Sequence, residues 1–298
     1  MRKITAFIML WLLMAAACIA QKKELVFATY TYADNTRLQH LQPVAEYLSQ
    51  KTGIRVRAVS YPTVQALIAG IKNDSVDIAM MNTSGYMVLQ RNHPGKAVPF
   101  VNLYMGNDSS TNYAGCIIAL RQKGIHSLEE LTGTSKKYAL ALVTASSTSG
   151  NLVPRLLLNA ANIPDAEAGF TLSYSGTHKK VVEDVLNGRA DIGGCGCAEV
   201  DSARSNQRFD EKAMVIASFN DIPLGPVIYN NNLDKKILKK LNGLFQNIHL
   251  EQPAVFRNFC NGWTEFRQAK SFKPVKDNDY NKFRQMFGNN EGLWRLIM

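Results

Sequence analysis

A run of small hydroxyl residues, Ser147, Thr148 and Ser149, precedes Gly150 and an apolar stretch with the spacing of a helix. The apolar segment 138–143 comes just before the run and predicts a buried strand. Backbone N–H groups at the start of a helix lack intrahelical partners, and the helix dipole places partial positive charge there. The run is therefore a candidate oxyanion site built from uncharged donors. The alternative is an ordinary helix cap, for which one hydroxyl would be enough.

Segments typical of strands and helices alternate along most of the chain. Strand-like segments at 25–29, 54–59 and 77–81 are separated by helical patterns, and a similar order returns after residue 138. This alternation favours parallel α/β sheets, in which ligands bind at the carboxyl ends of the strands. Two such halves, with the chain crossing between them twice, predict two lobes around a cleft. From about residue 234 we expect helix, and the aromatic C-terminal segment has no assigned role.

The N-terminus has the pattern of an export signal. Arg2 and Lys3 precede the apolar run 4–17, which is shorter than the ~18 residues that a membrane span requires. We predict that residues 1–20 are a signal peptide and that the mature protein is periplasmic or otherwise extracytoplasmic. The alternative is a lipid anchor at Cys18, which follows three alanines as in a bacterial lipoprotein signal.

The charge pattern argues against nucleic-acid binding. The formal net charge is +10, and removal of the signal peptide takes away two basic residues and no acid, which leaves +8. The basic residues are spread out, with no run longer than two. Nucleic-acid binding needs a clustered basic face, so the charge indicates only a general attraction for anions.

Four cysteines follow the signal peptide, and we interpret them first as packing residues: Cys116, Cys195, Cys197 and Cys260. A disulfide is the alternative, because an even number of cysteines in an exported protein permits one. The close pair at 195 and 197 lacks the second pair that a zinc site would need. We therefore predict no metal and no cofactor.

Five motifs together resemble the periplasmic phosphate, phosphite and phosphonate-binding proteins of bacterial ABC importers. In chain order they are Gln-Pro-Val-Ala-Glu-Tyr-Leu at 42–48, Val-Asp-Ile-Ala at 76–79, Ser-Thr-Ser-Gly-Asn-Leu-Val-Pro at 147–154, Ser-Gly-Thr-His at 175–178 and Ile-Pro at 222–223. The motif at 147–154 is the most specific of them, and the resemblance runs through nearly the whole mature chain.

The resemblance implies an α/β fold of the two-lobed type II periplasmic binding protein class, the Venus flytrap, with two crossover segments between the lobes. Lobe 1 would comprise 21–115 and 222–298, and lobe 2 would comprise 116–221. The protein would be a monomer that carries a small oxyanion to an ABC permease in the inner membrane. Its contact with the membrane would be through the permease or through the lipid anchor.

The resemblance also implies seven ligand-binding residues: Ser147, Thr148, Ser149, Tyr61, Tyr113, His178 and Glu199. The hydroxyl run would donate hydrogen bonds to the oxyanion, and the two tyrosines would donate phenolic hydrogen bonds. The histidine would be a further donor, and the glutamate would accept a proton from a P–OH group. The alternatives are core packing for the tyrosines, a solvent-exposed histidine at a helix start, and a solvated acid.

The ligand and the role have alternatives. Aminophosphonate binders carry an Asp at the position of Gly225, so we expect this protein to favour ligands without an amine, such as phosphate, phosphite or methylphosphonate. Rival functions are binding of another anion such as a sulfonate, and a sensor that reports to a membrane kinase. A hydrolase using Ser149, His178 and Glu199 is disfavoured because no nucleophile-elbow motif is present, and we predict no catalytic residue.

Overall fold

The computed structural model describes residues 24–32, 37–106, 113–133, 137–205, 209–287 and 291–295. The predicted signal peptide and Cys18 lie outside the described residues. Within the described ranges, no helix combines the length and the apolar character that crossing a membrane requires.

The first sheet has six strands, labelled here in chain order: β1 (Glu24–Tyr30), β2 (Arg55–Tyr61), β3 (Ile78–Met80), β4 (Ala97–Tyr104), β10 (Val227–Asn230) and β11 (Ser271–Pro274). Their spatial order is β11-β4-β10-β3-β1-β2. β1 is parallel to β2 and β3, whereas β10 is antiparallel to β3 and β4. β11 is antiparallel to β4 and lies at the edge of the sheet.

The second sheet has five strands: β5 (Gly115–Leu120), β6 (Ala139–Leu142), β7 (Thr171–Tyr174), β8 (Ile192–Gly196) and β9 (Ala213–Phe219). Their spatial order is β7-β6-β8-β5-β9. β6 is parallel to β7 and β8, and β5 is antiparallel to β8 and β9. The strand–turn–helix unit around residue 148 therefore starts from an interior strand of this sheet, β6, which lies between β7 and β8.

The strands that alternate with helices, β1–β3 and β6–β8, are parallel as predicted. Both sheets are nevertheless mixed, so the expectation of parallel sheets is wrong for the other strands. The chain leaves the first sheet after β4, enters the second at β5, and returns from β9 to β10. The return segment, 220–226, contains no helix. A parallel neighbour needs a crossover connection that is usually helical, whereas a strand entering directly from the other lobe can pair antiparallel. The two passages divide the fold into two lobes, one around each sheet.

The helices are α1 (Arg37–Thr52), α2 (Val64–Lys72), α3 (Thr83–Asn92), α4 (Val153–Ala160), α5 (Ala166–Gly169), α6 (His178–Leu186), α7 (Cys197–Arg204), α8 (Phe209–Lys212), α9 (Lys235–Glu251), α10 (Pro253–Asn261), α11 (Asn281–Gln285) and α12 (Glu291–Arg295). Short 3-10 turns lie at 121–123, 129–131, 264–266 and 277–280, and a π-helical turn lies at 148–152. α1 shows how the pattern produces the packing, because it buries Leu41, Val44 and Leu48 on one face.

The segment after α9 completes the core of the first lobe. Phe272 of β11 pairs with Leu103 of β4 and is buried. The rings of Phe245, Phe256 and Phe259 surround it at centroid distances of 5.4–5.7 Å. The expectation of helix from about residue 234 is wrong for this strand. Phe272 is the only buried residue of Ser271–Pro274, so the segment has no alternation of apolar and polar residues by which the sequence could predict a strand.

One pair of cysteines is oxidised. Cys116 of β5 forms a disulfide with Cys197, the first residue of α7, and their Cα atoms are 5.2 Å apart. Cys195 and Cys260 are buried and free. The interpretation of all four cysteines as packing residues is therefore wrong for the first pair. The antiparallel pairing of β5 with β8 brings the pair together, and sequence spacing does not show that pairing.

Candidate functional site

A cavity of about 340 Å³ lies between the two lobes. Tyr30 and Asn82 line it from the first lobe, and Ser147, Thr148 and His178 line it from the second. At about 30 Å³ per water molecule, this volume corresponds to roughly eleven waters. The cavity therefore has more room than a five-atom oxyanion needs, and a bound ligand can carry a substituent.

Besides α1, whose first residue Arg37 lines the cavity, four helical segments begin here, two from each lobe. Thr63 precedes α2, Asn82 precedes α3, and Ser147 precedes the π-helical turn that leads into α4. His178 is the first residue of α6. All four residues line the cavity. Because helix N-termini carry partial positive charge and free N–H groups, the cavity is a favourable place for an anion.

The hydroxyl run forms the wall of the cavity in the second lobe. The Ser147 hydroxyl accepts a hydrogen bond from the Gly150 N–H at 3.2 Å and so caps the turn. The Leu152 N–H donates to the Ser147 carbonyl at 3.0 Å, which closes the π-helical turn. A Cβ atom at Gly150 would lie 2.2 Å from Cγ2 of Val143. Gly150 is therefore required so that the turn can pack directly on the end of the β6 segment.

Two hydrogen bonds join the lobes at the hydroxyl run. The Ser84 N–H of α3 donates to the Thr148 hydroxyl oxygen at 3.0 Å. The Asn82 side-chain amide donates to the Ser146 carbonyl at 2.7 Å. A threonine hydroxyl has one proton to donate as well as its acceptor positions. With its oxygen accepting from Ser84, Thr148 keeps its proton for an acceptor inside the cavity.

Four of the seven expected ligand-binding residues line the cavity: Ser147, Thr148, Tyr113 and His178. Ser149 is fully buried, and its hydroxyl accepts a hydrogen bond from the Tyr113 hydroxyl at 2.7 Å. Ser149 therefore holds Tyr113 in position instead of facing the cavity.

Tyr61 and Glu199 do not line this cavity. Tyr61 is the last residue of β2, and its ring covers α2, where a Cβ atom at Gly70 would lie 2.7 Å from the Tyr61 hydroxyl. Val64, from the first turn of α2, lines the cavity. Glu199 lies in α7 near Cys195, where burial raises the pKa of the thiol to about 12 and the Glu199 charge adds to the shift. Ligand contacts by these two residues stay predictions.

The structure assigns the tautomer of His178. Its Nδ1 atom accepts a hydrogen bond from the Gly196 N–H at 2.9 Å, so in the neutral ring Nε2 carries the proton. Burial, together with a smaller contribution from the positive charge of Arg37, lowers the pKa of His178 from 6.5 to about 4. At neutral pH His178 is therefore an uncharged Nε2–H donor at the edge of the cavity.

The pKa of His178 makes the stability of the protein pH-dependent. Between pH 6.5 and pH 4 the unfolded chain binds a proton at this ring and the folded chain does not, so stability is complete above pH 6.5 and falls as the pH drops through this window. Between pH 7 and pH 5 we expect the free energy of unfolding to fall by roughly 2 kcal/mol from this group. Urea unfolding at the two pH values measures it.

Two variants separate this contribution from those of other groups. His178→Gln should lose the pH-dependent contribution, whereas His126→Gln, which changes an exposed histidine, should retain it. The same fall in stability in His178→Gln as in the unsubstituted protein would contradict the assignment.

Arg37 is a cavity residue that the sequence does not single out. Its side chain is buried, with 5% exposed, and its guanidinium carbon lies 4.6 Å, 4.7 Å and 5.1 Å from the ring centroids of Tyr30, Tyr32 and Trp263. Glu265 lines the same part of the cavity. The sequence feature that could have pointed to Arg37 is its position in the first turn of α1, where the helix dipole disfavours a cation.

Comparison with known proteins identifies the family. A family model described as "ABC transporter, phosphonate, periplasmic substrate-binding protein" matches residues 27–280. The chain belongs to this family. The phosphonates-binding periplasmic protein of Escherichia coli (strain K12) is 25% identical over 288 residues, which is 95% of this chain and 83% of that protein.

Two solved structures show the same fold. A binding protein component of an ABC phosphonate transporter from Pseudomonas aeruginosa has a TM-score of 0.69 and 22% identity, over 89% of this chain and 86% of its own. PhnD1 from Prochlorococcus marinus (MIT 9301), in complex with methylphosphonate, has a TM-score of 0.71 and 14% identity, over 91% and 100%. The predicted family and the two-lobed binding-protein fold are confirmed, and the relatives named here are transporter binding proteins, not enzymes.

Gly225 lies directly against the backbone that leads into α3. A Cβ atom at this position would be 2.0 Å from the Met81 carbonyl oxygen and 2.7 Å from the Asn82 Cα atom. Because both are backbone atoms, no rotamer change relieves the contact. A carboxylate at position 225 therefore does not fit this backbone.

We expect Gly225→Ala to lower the free energy of unfolding by about 1–3 kcal/mol, the usual cost of overpacking. Gly243→Ala is the matched control, because a Cβ atom there meets nothing within 4 Å and α9 should gain up to about 1 kcal/mol. Chemical denaturation of both variants measures the difference. Equal stability of the two variants would show that the loop at 225 moves freely.

Proposed function

We propose that this chain is an exported binding protein that captures a phosphorus oxyanion in the cavity between its lobes and delivers it to an ABC permease. The observation that carries the proposal is that helix N-termini from both lobes meet at one cavity. Thr148 and His178 add side-chain donors at the same place. Membership in the phosphonate family supports a phosphorus compound over another anion.

The donor set is sufficient for useful affinity. A hydrogen bond to a charged group contributes about 1.5–3 kcal/mol. Four or five such bonds, after the costs of desolvation and ordering, support binding near −8 kcal/mol, which corresponds to about micromolar affinity.

The ligand class is tested by calorimetry with matched anions. Methylphosphonate, phosphite and phosphate form one set, and methanesulfonate and sulfate form the other. We expect dissociation constants in the micromolar range or below for at least one phosphorus compound, and binding at least tenfold weaker for both sulfur compounds. Tighter binding of methanesulfonate than of methylphosphonate would favour the sulfonate alternative.

Gly225 supports a ligand without an amine. The Asp that aminophosphonate binders carry at this position is replaced by a residue whose site has no space for a side chain. We expect 2-aminoethylphosphonate to bind less tightly than methylphosphonate in the same calorimetric series. Tightest binding of the aminophosphonate would contradict this expectation.

The partner and the location complete the proposal. A single copy of the chain would carry the ligand to a permease in the inner membrane, as the family description implies. Deleting its gene should abolish methylphosphonate uptake, whereas a sensor for a membrane kinase would change transcription and leave uptake intact. Mass spectrometry of the mature N-terminus distinguishes cleavage at residue 20 from lipidation at Cys18.

A further inference from the structure

The guanidinium of Arg37 is a buried charge with unsatisfied donors. Its Nε and Nη1 atoms are buried and have no hydrogen-bond partner among the described residues. The rings of Tyr30, Tyr32 and Trp263 lie against the guanidinium, and the Tyr30 hydroxyl also hydrogen-bonds to Arg37. Aromatic faces attract a cation without accepting its in-plane N–H donors, so Nε and Nη1 stay without an acceptor. Leaving a buried donor unpaired is costly, and the cost is greater when the group is charged. Among the described residues these donors lack acceptors, and Arg37 lines the cavity, so a ligand there can supply them.

Arg37 and the hydroxyl run belong to opposite walls of one cavity. Arg37 begins α1 in the first lobe, Thr148 lies in the second lobe, and both line the cavity. Tyr32 lies between Arg37 and His178: its ring centroid is 4.7 Å from the guanidinium carbon and 6.2 Å from the His178 ring centroid. The cavity therefore has a donor set at Arg37 in addition to the one at the hydroxyl run, and the Tyr32 ring neighbours both Arg37 and His178.

A carboxylate is the group that best matches the Arg37 end. Guanidinium N–H donors lie in one plane, and a carboxylate presents its acceptor positions in a plane as well. Glu265 is the acid on this part of the wall. Burial raises the pKa of its carboxyl, and the charge of Arg37 opposes that shift. Glu265 does not accept from Arg37 Nε or Nη1, which have no hydrogen-bond partner among the described residues, so it does not satisfy these donors.

We infer that the ligand carries a carboxylate in addition to its phosphonate group, and that Arg37 binds this carboxylate. The inference rests on the proposed function, which supplies the phosphonate at the hydroxyl run. The ligand class is then a short phosphonocarboxylate, with a spacer that passes Tyr32. Arg37 sets the preference among phosphonates.

Calorimetry with phosphonoacetate and phosphonoacetamide tests the inference, because the two ligands have nearly the same size and differ in the charge of one group. We expect the unsubstituted protein to bind phosphonoacetate at least tenfold more tightly. In Arg37→Gln this ratio should fall below threefold, and in Arg37→Lys it should be intermediate. Arg189→Gln, which changes an exposed arginine outside the cavity, should keep the full ratio.

The comparison on the unsubstituted protein decides the matter even if the Arg37 variants fail to fold. Equal affinity for the acid and the amide would overturn the inference, as would a full ratio in Arg37→Gln. Tightest binding of 2-aminoethylphosphonate would also overturn it, because Glu265 would then select an amine. If methylphosphonate binds without any advantage for phosphonoacetate, this inference alone fails. If no phosphorus compound binds, the proposed function fails with it.

Discussion

Replacing Thr148 by valine is expected to weaken phosphonate binding by roughly 10- to 100-fold, which corresponds to the loss of one charge-assisted hydrogen bond of about 1.5–3 kcal/mol. Valine has nearly the same shape as threonine but has no hydroxyl. The substitution removes the donor that faces the cavity and the oxygen that accepts from the Ser84 N–H of the other lobe. Both losses act where the two lobes are in contact. Calorimetric titration with methylphosphonate measures the change.

A control separates this effect from general damage to the lobe. Thr171→Val makes the same change at an exposed position of β7, in the same sheet but outside the cavity. It should bind methylphosphonate within twofold of the unsubstituted protein. Unchanged affinity in Thr148→Val would mean that the hydroxyl run is a helix cap and not the anion site.

Removing the disulfide between Cys116 and Cys197 is expected to lower the free energy of unfolding by about 2–4 kcal/mol. The bond connects positions separated by 81 residues, so it restricts a long loop in the unfolded chain. It also fixes the turn from β8 into α7, and the Gly196 N–H of that turn donates to His178 Nδ1 at 2.9 Å. The double variant Cys116→Ala, Cys197→Ala should therefore lose ligand affinity as well as stability.

A reducing agent provides the control for this prediction. The unsubstituted protein should approach the stability of the double variant when its disulfide is reduced, and the double variant should not respond to the reducing agent. Cys195→Ala and Cys260→Ala should still respond, because these cysteines are free. A double variant as stable as the oxidised protein would show that the bond adds nothing to the fold.

The hydroxyl run shows how far the sequence predicts the site. Residues 147–154 are consecutive, so the strand, the turn and the helix start that they form are determined locally. This local unit places the Thr148 hydroxyl at the start of a helix and brings Gly150 against the end of the β6 segment. The family resemblance singled out Tyr61, just after the predicted strand 54–59, but gave no direction for its ring, which packs on Gly70 instead of entering the cavity.

The sequence by itself determined the alternation of strands and helices and the hydroxyl run, because each is a property of neighbouring residues. Only the tertiary structure decided which distant residues share a wall. Arg37 and Trp263 are far apart in the chain and become neighbours at 5.1 Å because α1 and α10 pack together. The antiparallel strands and the Cys116–Cys197 pair have the same origin. Their energies come from contacts between segments, which no local pattern of hydrophobicity or turn residues encodes.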